Sequence, residues 1–140
     1  AVLFREEMGS WPPGAHGTTF GGQAVAAAAA HATLDLLEGG LQENAARLGE
    51  FLLAELRALK RRFPFLGDVR GRGLMIGLDF GDPDHPQPDL RDKAVRLAFE
   101  KGLLLLPAGP SALRIAPPLV LTQEEAALGL EILEEVFRAL

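Results

Sequence analysis

Between Leu41 and Phe63 apolar residues recur at helical spacing: Leu41, Ala45, Leu48, Leu52, Leu56, Leu59 and Phe63. No other feature restricts the fold as much, because a helix of that length with one apolar stripe must lay the stripe on a second layer. Its opposite face carries Glu43, Arg47, Glu50, Arg57 and Arg61, an ordinary solvated mix of signs. The second layer is supplied downstream. "LGDVRGRGLMIGLDF" reads as two short strands around a glycine-rich corner, with Val69 in the first and Leu74 to Phe80 in the second. "LLLLP" and "ALRIAPP" are further strand candidates, separated by the turn "AGPS". Between the strand pairs Asp89 is expected to cap a helix whose positions Leu90, Ala94, Val95, Leu97, Ala98 and Phe99 cover one broad face, with Gly102 closing it. Thr122 and Glu125 form a capping box for a last helix ending near Leu140. The pattern predicts an α/β or α+β layer whose sheet is covered by helices.

The 140 residues, nearly half of them apolar, suffice for one globular domain with a real core. The absence of cysteine removes a disulfide scaffold and any thiolate nucleophile or metal ligand, and a cytoplasmic location follows as the expectation. No apolar run approaches the roughly 20 residues of a membrane span, and "AVLFREEMGSW" lacks a basic region followed by an apolar stretch. Neither a membrane nor a signal peptide is expected. A formal charge of −5 with scattered basic residues argues against nucleic acid as partner. "AVLF" reads as a strand buried on both faces, and its neighbours are expected to lie outside this chain.

The stretch "GAHGTTFGGQAVAAAAAHATL", residues 14 to 34, sets glycines and two adjacent threonines before an alanine-rich helix expected from Ala24 to about Leu37, with Gly39 and Gly40 ending it. Open backbone, hydroxyls and a positive helix start suit an oxyanion such as phosphate. The same residues are also explained if Gly17, Gly21 and Gly22 turn the chain while Thr18 or Thr19 caps the helix. Arg114 stands inside the apolar "ALRIAPPLVL", where it either offers a fork to a carboxylate or phosphate, or is an edge-strand or ion-paired arginine. "GRGLMIG" is one residue too long for a dinucleotide fingerprint and reads as a strand corner. His16, His31 and His85 show no metal spacing, and Ser10 and Ser111 lie in turn-like contexts without a recognisable triad.

Taken in order, "GAHGTTFGG", the alanine-rich helix, "VRGRGLMIGLDF", "KGLLLLPAG" and "ALRIAPPLVLTQEE" resemble the C-terminal part of a class III (omega-amino acid) aminotransferase over essentially all 140 residues. The resemblance implies the fold-type I scaffold: a remnant of the large domain over residues 1–22 and a C-terminal small domain over 23–140, with a connecting helix and a small, mainly antiparallel sheet. It implies pyridoxal 5′-phosphate as cofactor, an amino acid and a 2-oxo acid as small-molecule partners, and a homodimer. By resemblance Thr19 binds the cofactor phosphate of the other subunit, Thr18 and Gly17 lie beside it, and Arg114 clamps the substrate carboxylate. The motif is similar to 4-aminobutyrate aminotransferases more than to acetylornithine ones, and some amino acid racemases share the scaffold. Gln23 and Ala24 depart from the family's Asn-Pro. The family's Schiff-base lysine maps before Ala1, and Lys60, Lys93 and Lys101 do not match it, so no catalytic residue is assigned here and the isolated chain is expected to be inactive. Readings of another class are a non-catalytic module that self-associates through "AVLF" and an amino-acid-sensing domain.

Overall fold

A computed structural model of the chain describes residues 5–9, 11–12 and 14–140, in two compact units divided between Leu36 and Leu37. The strand expected over "AVLF" and the turn expected at Ser10 lie outside the described residues. In the first unit a single 3₁₀ turn at Glu6–Met8 precedes the loop that leads into helix α1, Ala24–Leu36. Alanine costs no side-chain entropy in a helix, which suffices to form α1 although none of its residues is buried. Beyond Leu36 the backbone kinks within Leu37–Leu41, at Gly40, whose φ of 120° only glycine adopts readily.

In the second unit helix α2 spans Gln42–Arg62 and buries Leu48, Leu52, Leu56 and Leu59, the stripe read from the sequence. It is followed by β1, Leu66–Arg72, and β2, Met75–Phe80, then α3, Pro88–Glu100, the strands β3, Leu106–Ala108, and β4, Ala112–Ile115, and finally α4, Gln123–Arg138. All strand pairs are antiparallel, in the order β1-β2-β4-β3, so β4 is interior and β1 and β3 are edges. The register of β1 against β2 shifts between Leu66 and Val69, and β3 carries Pro107 at its centre. Helices α2 and α3 lie on one face of the sheet, and α4 packs against both of them. That face supplies Val69, Ile76, Leu78, Phe80 and Leu113, which join the helix stripes and a cluster of Phe63, Phe65, Phe80 and Phe137 in one core.

Two glycines set the fit of α2 on the first hairpin. A side chain at Gly49 would run into the backbone of Gly73, with Gly73 Cα 2.6 Å from the new Cβ, and Gly73 itself has a φ of 53° in the β1–β2 turn. The capping box at α4 is present as expected: Glu125 N–H donates to Thr122 Oγ1 at 3.2 Å and Thr122 N–H donates to the Glu125 carboxylate at 2.9 Å. The start of α3 differs from the sequence reading. Its N-cap is Gln87, Pro88 takes the first turn and Asp89 lies inside the helix, because proline needs no backbone donor there. Leu74 is buried in the turn rather than in β2, and Phe99 points outward.

Candidate functional site

In the first unit Gly17, Thr18 and Thr19 stand together in an exposed loop. Neither threonine hydroxyl bonds to any described residue, so neither caps α1. The helix begins instead from the carbonyl of Gln23, which accepts from Ala27 N–H at 2.9 Å. Gly22 has a φ of 77°, which favours glycine behind the threonines, and Gly21 packs against the Thr18 side chain, whose Cγ2 would have to turn aside for a Cβ there. The first turn of α1 carries no acidic residue. Two unengaged hydroxyls, a turn closed by glycines and a helix start without a competing carboxylate form a donor set for an oxyanion. Trp11 and His16 rings meet edge-on at 5.4 Å in the same unit.

In the second unit the sheet face without helices carries a row read straight across three strands: Arg70 on β1 pairs with Gly77 on β2, and Gly77 pairs with Arg114 on β4. Strand alternation puts these residues opposite the core, with Asp79 two positions along β2 on the same face. Arg70 is engaged. Its Nη2 donates to Asp79 Oδ1 at 3.0 Å, its Nη1 donates to Asp79 Oδ2, and Nη1 also reaches Asp68 at 3.3 Å. The Asp79 hydrogen bond raises the proton affinity of this guanidinium further. Arg114, in contrast, is exposed and bonds to no described residue. It is therefore neither ion-paired within the described chain nor on an edge strand, and its fork is open to an external anion.

Both sides of Arg114 are tethered. The buried Arg91 donates from Nη1 to the carbonyl of Ala112 at 3.1 Å, which ties β4 to α3. After the strand, Asn44 on α2 donates to the carbonyls of Leu119 at 2.8 Å and Leu121 at 3.0 Å, while Arg47 bridges Asn44 and Gln123. Sequence reasoning missed Asn44, Arg70, Asp79 and Arg91. Only the alternation of Arg70 and Asp79 with buried strand residues was available as a signal. None of the lysines stands in this row: Lys60 is exposed on α2, Lys93 donates to the carbonyls of Ala139 and Leu140, and Lys101 pairs with Glu135 at 2.7 Å.

The family model for aminotransferase class-III matches residues 1–137, and the chain belongs to that family. It is 40% identical over 129 residues to acetylornithine aminotransferase of Bacillus subtilis, covering 91% of this chain and 31% of that protein. It is also 40% identical over 141 residues to an alanine/serine racemase of Pyrococcus horikoshii, covering 98% and 30% respectively. Among solved structures, the acetylornithine aminotransferase of Elizabethkingia anophelis superposes with a TM-score of 0.80 at 33% identity, over 93% of this chain and 34% of that one. The chain thus spans about a third of the length of these relatives. Class-III aminotransferases depend on pyridoxal 5′-phosphate. The loop with Thr18 and Thr19 fits the phosphate end of that cofactor, since it offers free donors and no carboxylate to repel the anion. Among the described residues no helix is long and apolar enough to cross a membrane.

Proposed function

We propose that the whole protein moves an amino group from an amino acid to a 2-oxo acid, and that this chain supplies its phosphate loop and its carboxylate clamp. The observation that carries the reading is Arg114, a guanidinium on an interior strand that bonds to none of the described residues. Thr19, with Thr18 and Gly17 beside it, holds the cofactor phosphate, in a homodimer that of the other subunit. The cofactor, when bound, supplies the electron sink for chemistry at the substrate carbon that bears the amino group. Arg114 orients the substrate by its carboxylate, a positioning role rather than one in proton transfer. The donor is an ω-amino acid of the 4-aminobutyrate type, with acetylornithine as the alternative favoured by the names of several relatives. A racemase is the second reading, supported by the alanine/serine racemase relative. A cytoplasmic location completes the proposal.

The test uses the complete protein. Arg114→Ala removes a charge-assisted pair of about 2 kcal/mol, so KM for both amino acid and 2-oxo acid rises about 30-fold while kcat changes less. Thr19→Val lowers retention of the cofactor but not of its dephosphorylated form. Unchanged KM in the first variant refutes the clamp, and equal retention of both forms in the second refutes the phosphate role. Donor screening with 4-aminobutyrate, acetylornithine and single alanine enantiomers separates the three activities. The 140-residue chain alone gives no turnover, and turnover from it would overturn the reading that the reactive amine is supplied from outside these residues.

A further inference from the structure

Two arginines flank Gly77 on the open sheet face, Arg70 from β1 and Arg114 from β4, and each pairs directly with it across the sheet. Asp79 lies two positions along β2 and is therefore diagonal to both. Diagonal neighbours in antiparallel sheets stand roughly 7–8 Å apart, within reach of a long side chain. One carboxylate thus has two guanidinium groups available at equivalent register positions. It takes Arg70, whose Nη2 donates to Oδ1 at 3.0 Å and whose Nη1 donates to Oδ2, a fork that uses both oxygens. The Arg70 side chain gets there by running over Gly77: its Cγ, Cζ and Nη2 each lie 3.8 Å from where a Cβ of residue 77 would stand. Around Arg114 the other neighbours on this face are apolar, Leu106 directly opposite on β3 and Met75 diagonal to it on β2. Asp68, the second acid on Arg70, stands on β1, two strand spacings or about 10 Å from β4. Asp79 is therefore the sheet carboxylate placed to neutralise Arg114, and Arg70 has it.

We propose that Arg70 is a positioning residue for Arg114: it holds Asp79 aside, so that the Arg114 guanidinium stays open to the carboxylate of a substrate. This rests on the proposed clamp role of Arg114 and adds that the clamp needs a second arginine to occupy the competing acid. The Arg70–Asp79 pair is open to solvent, its side chains 55% and 27% exposed, and a pair of that kind adds little to folding stability. What it decides is where the negative charge sits. Without Arg70, Asp79 has a single arginine on its own sheet face within diagonal reach, and a carboxylate tethered beside Arg114 competes with a dissolved one at a high effective concentration. Asp68 strengthens the arrangement, because it draws Arg70 to the β1 side of Asp79 at 3.3 Å and away from Arg114.

Steady-state kinetics of the complete protein test this with the parent, Arg70→Met, Asp79→Asn and the double variant, circular dichroism checking that each folds. Arg70→Met is expected to raise KM for both the amino acid and the 2-oxo acid about tenfold while kcat changes less. Asp79→Asn alone should not raise KM, and the double variant should return it to within about twofold of the parent. That rescue separates the two explanations, since a variant that had only lost structural support gains nothing from a further substitution. Arg70→Lys, which keeps the charge but not the fork, should give an intermediate KM and stands in should Arg70→Met fail to fold. A second readout needs no substrate: in the isotope-labelled 140-residue chain the Arg114 Nε–H resonance should shift in Arg70→Met and return in the double variant. A resonance that does not move in folded Arg70→Met overturns the proposal. Where Arg114→Ala raises KM, an unchanged KM in Arg70→Met, or a raised one that Asp79→Asn fails to restore, overturns it as well and leaves the clamp standing. A resonance that shifts and returns, with KM unchanged in Arg114→Ala, upholds the hold on Asp79 and removes only the clamp.

Discussion

Replacing Gly49 by alanine should destabilise the second unit, although the same exchange in most helices stabilises. The new Cβ would stand 2.6 Å from Gly73 Cα and 2.5 Å from its carbonyl carbon, against the roughly 3.5–4.0 Å of an unstrained carbon contact. Both partners are backbone, one in α2 and one in a hairpin turn fixed by a left-handed glycine, so no rotamer change relieves the overlap. Overpacking of this kind costs about 3 kcal/mol, and the better helix propensity of alanine returns about 1, for a net loss of about 2 kcal/mol. Gly129→Ala is the matched comparison: in α4 its Cβ meets only Leu103 Cδ1 at 3.9 Å, and the gain in propensity of about 1 kcal/mol stands alone. Urea unfolding followed by circular dichroism reads both. With a slope of about 2 kcal/mol per molar, the midpoint falls about 1 M for Gly49→Ala and rises about 0.5 M for Gly129→Ala. Midpoints that move in the same direction would refute the packing argument.

Leu56→Ala, at a fully buried position in the same stripe, should cost about 3 kcal/mol in the same assay. Thr122→Ala removes the hydroxyl half of the capping box and should cost about 1 kcal/mol, whereas Thr122→Ser should recover most of it. Arg91→Met leaves the Ala112 carbonyl without its buried donor, for a loss of about 2 kcal/mol by urea midpoint. Acid should weaken the fold through four carboxyls held below their ordinary range: Glu134 chiefly by the hydrogen bond from Arg62, Glu135 by that from Lys101, Glu125 by the backbone N–H of Thr122 and Asp82 by that of His85. A depressed folded pKa gives stability that is present above the unfolded value and lost as pH falls through the folded one. The urea midpoint should therefore hold from pH 7 to about 5 and fall below about 4.3, with Glu134→Gln flattening that acid limb.

The parts of this fold that rest on period and local chemistry were legible in the residues. The stripe from Leu48 to Leu59 and the capping box at Thr122 depend on neighbours a few positions away, so the sequence carried them directly. The start of α3 misled because Asp89 is a good capping residue in isolation, while Pro88 before it moves the start upstream. Ser111 looked like an ordinary turn residue, yet it is buried. Arg114 could be singled out from its apolar setting. That it bonds to none of the described residues depended on Asp79 facing Arg70 instead, a choice set by register across β1 and β2. Asn44 carried no signal at all, since its two acceptors lie more than seventy residues away in the chain.

Pro107 and the register shift in β1 have a consequence for how this chain behaves at high concentration. A proline at the middle of one border strand withholds a donor, and a bulge on the other border twists its unpaired groups out of line. Stacking of copies border to border into ribbons is thereby obstructed on both sides, and the arginine-bearing face is the part of the sheet that neither border device guards.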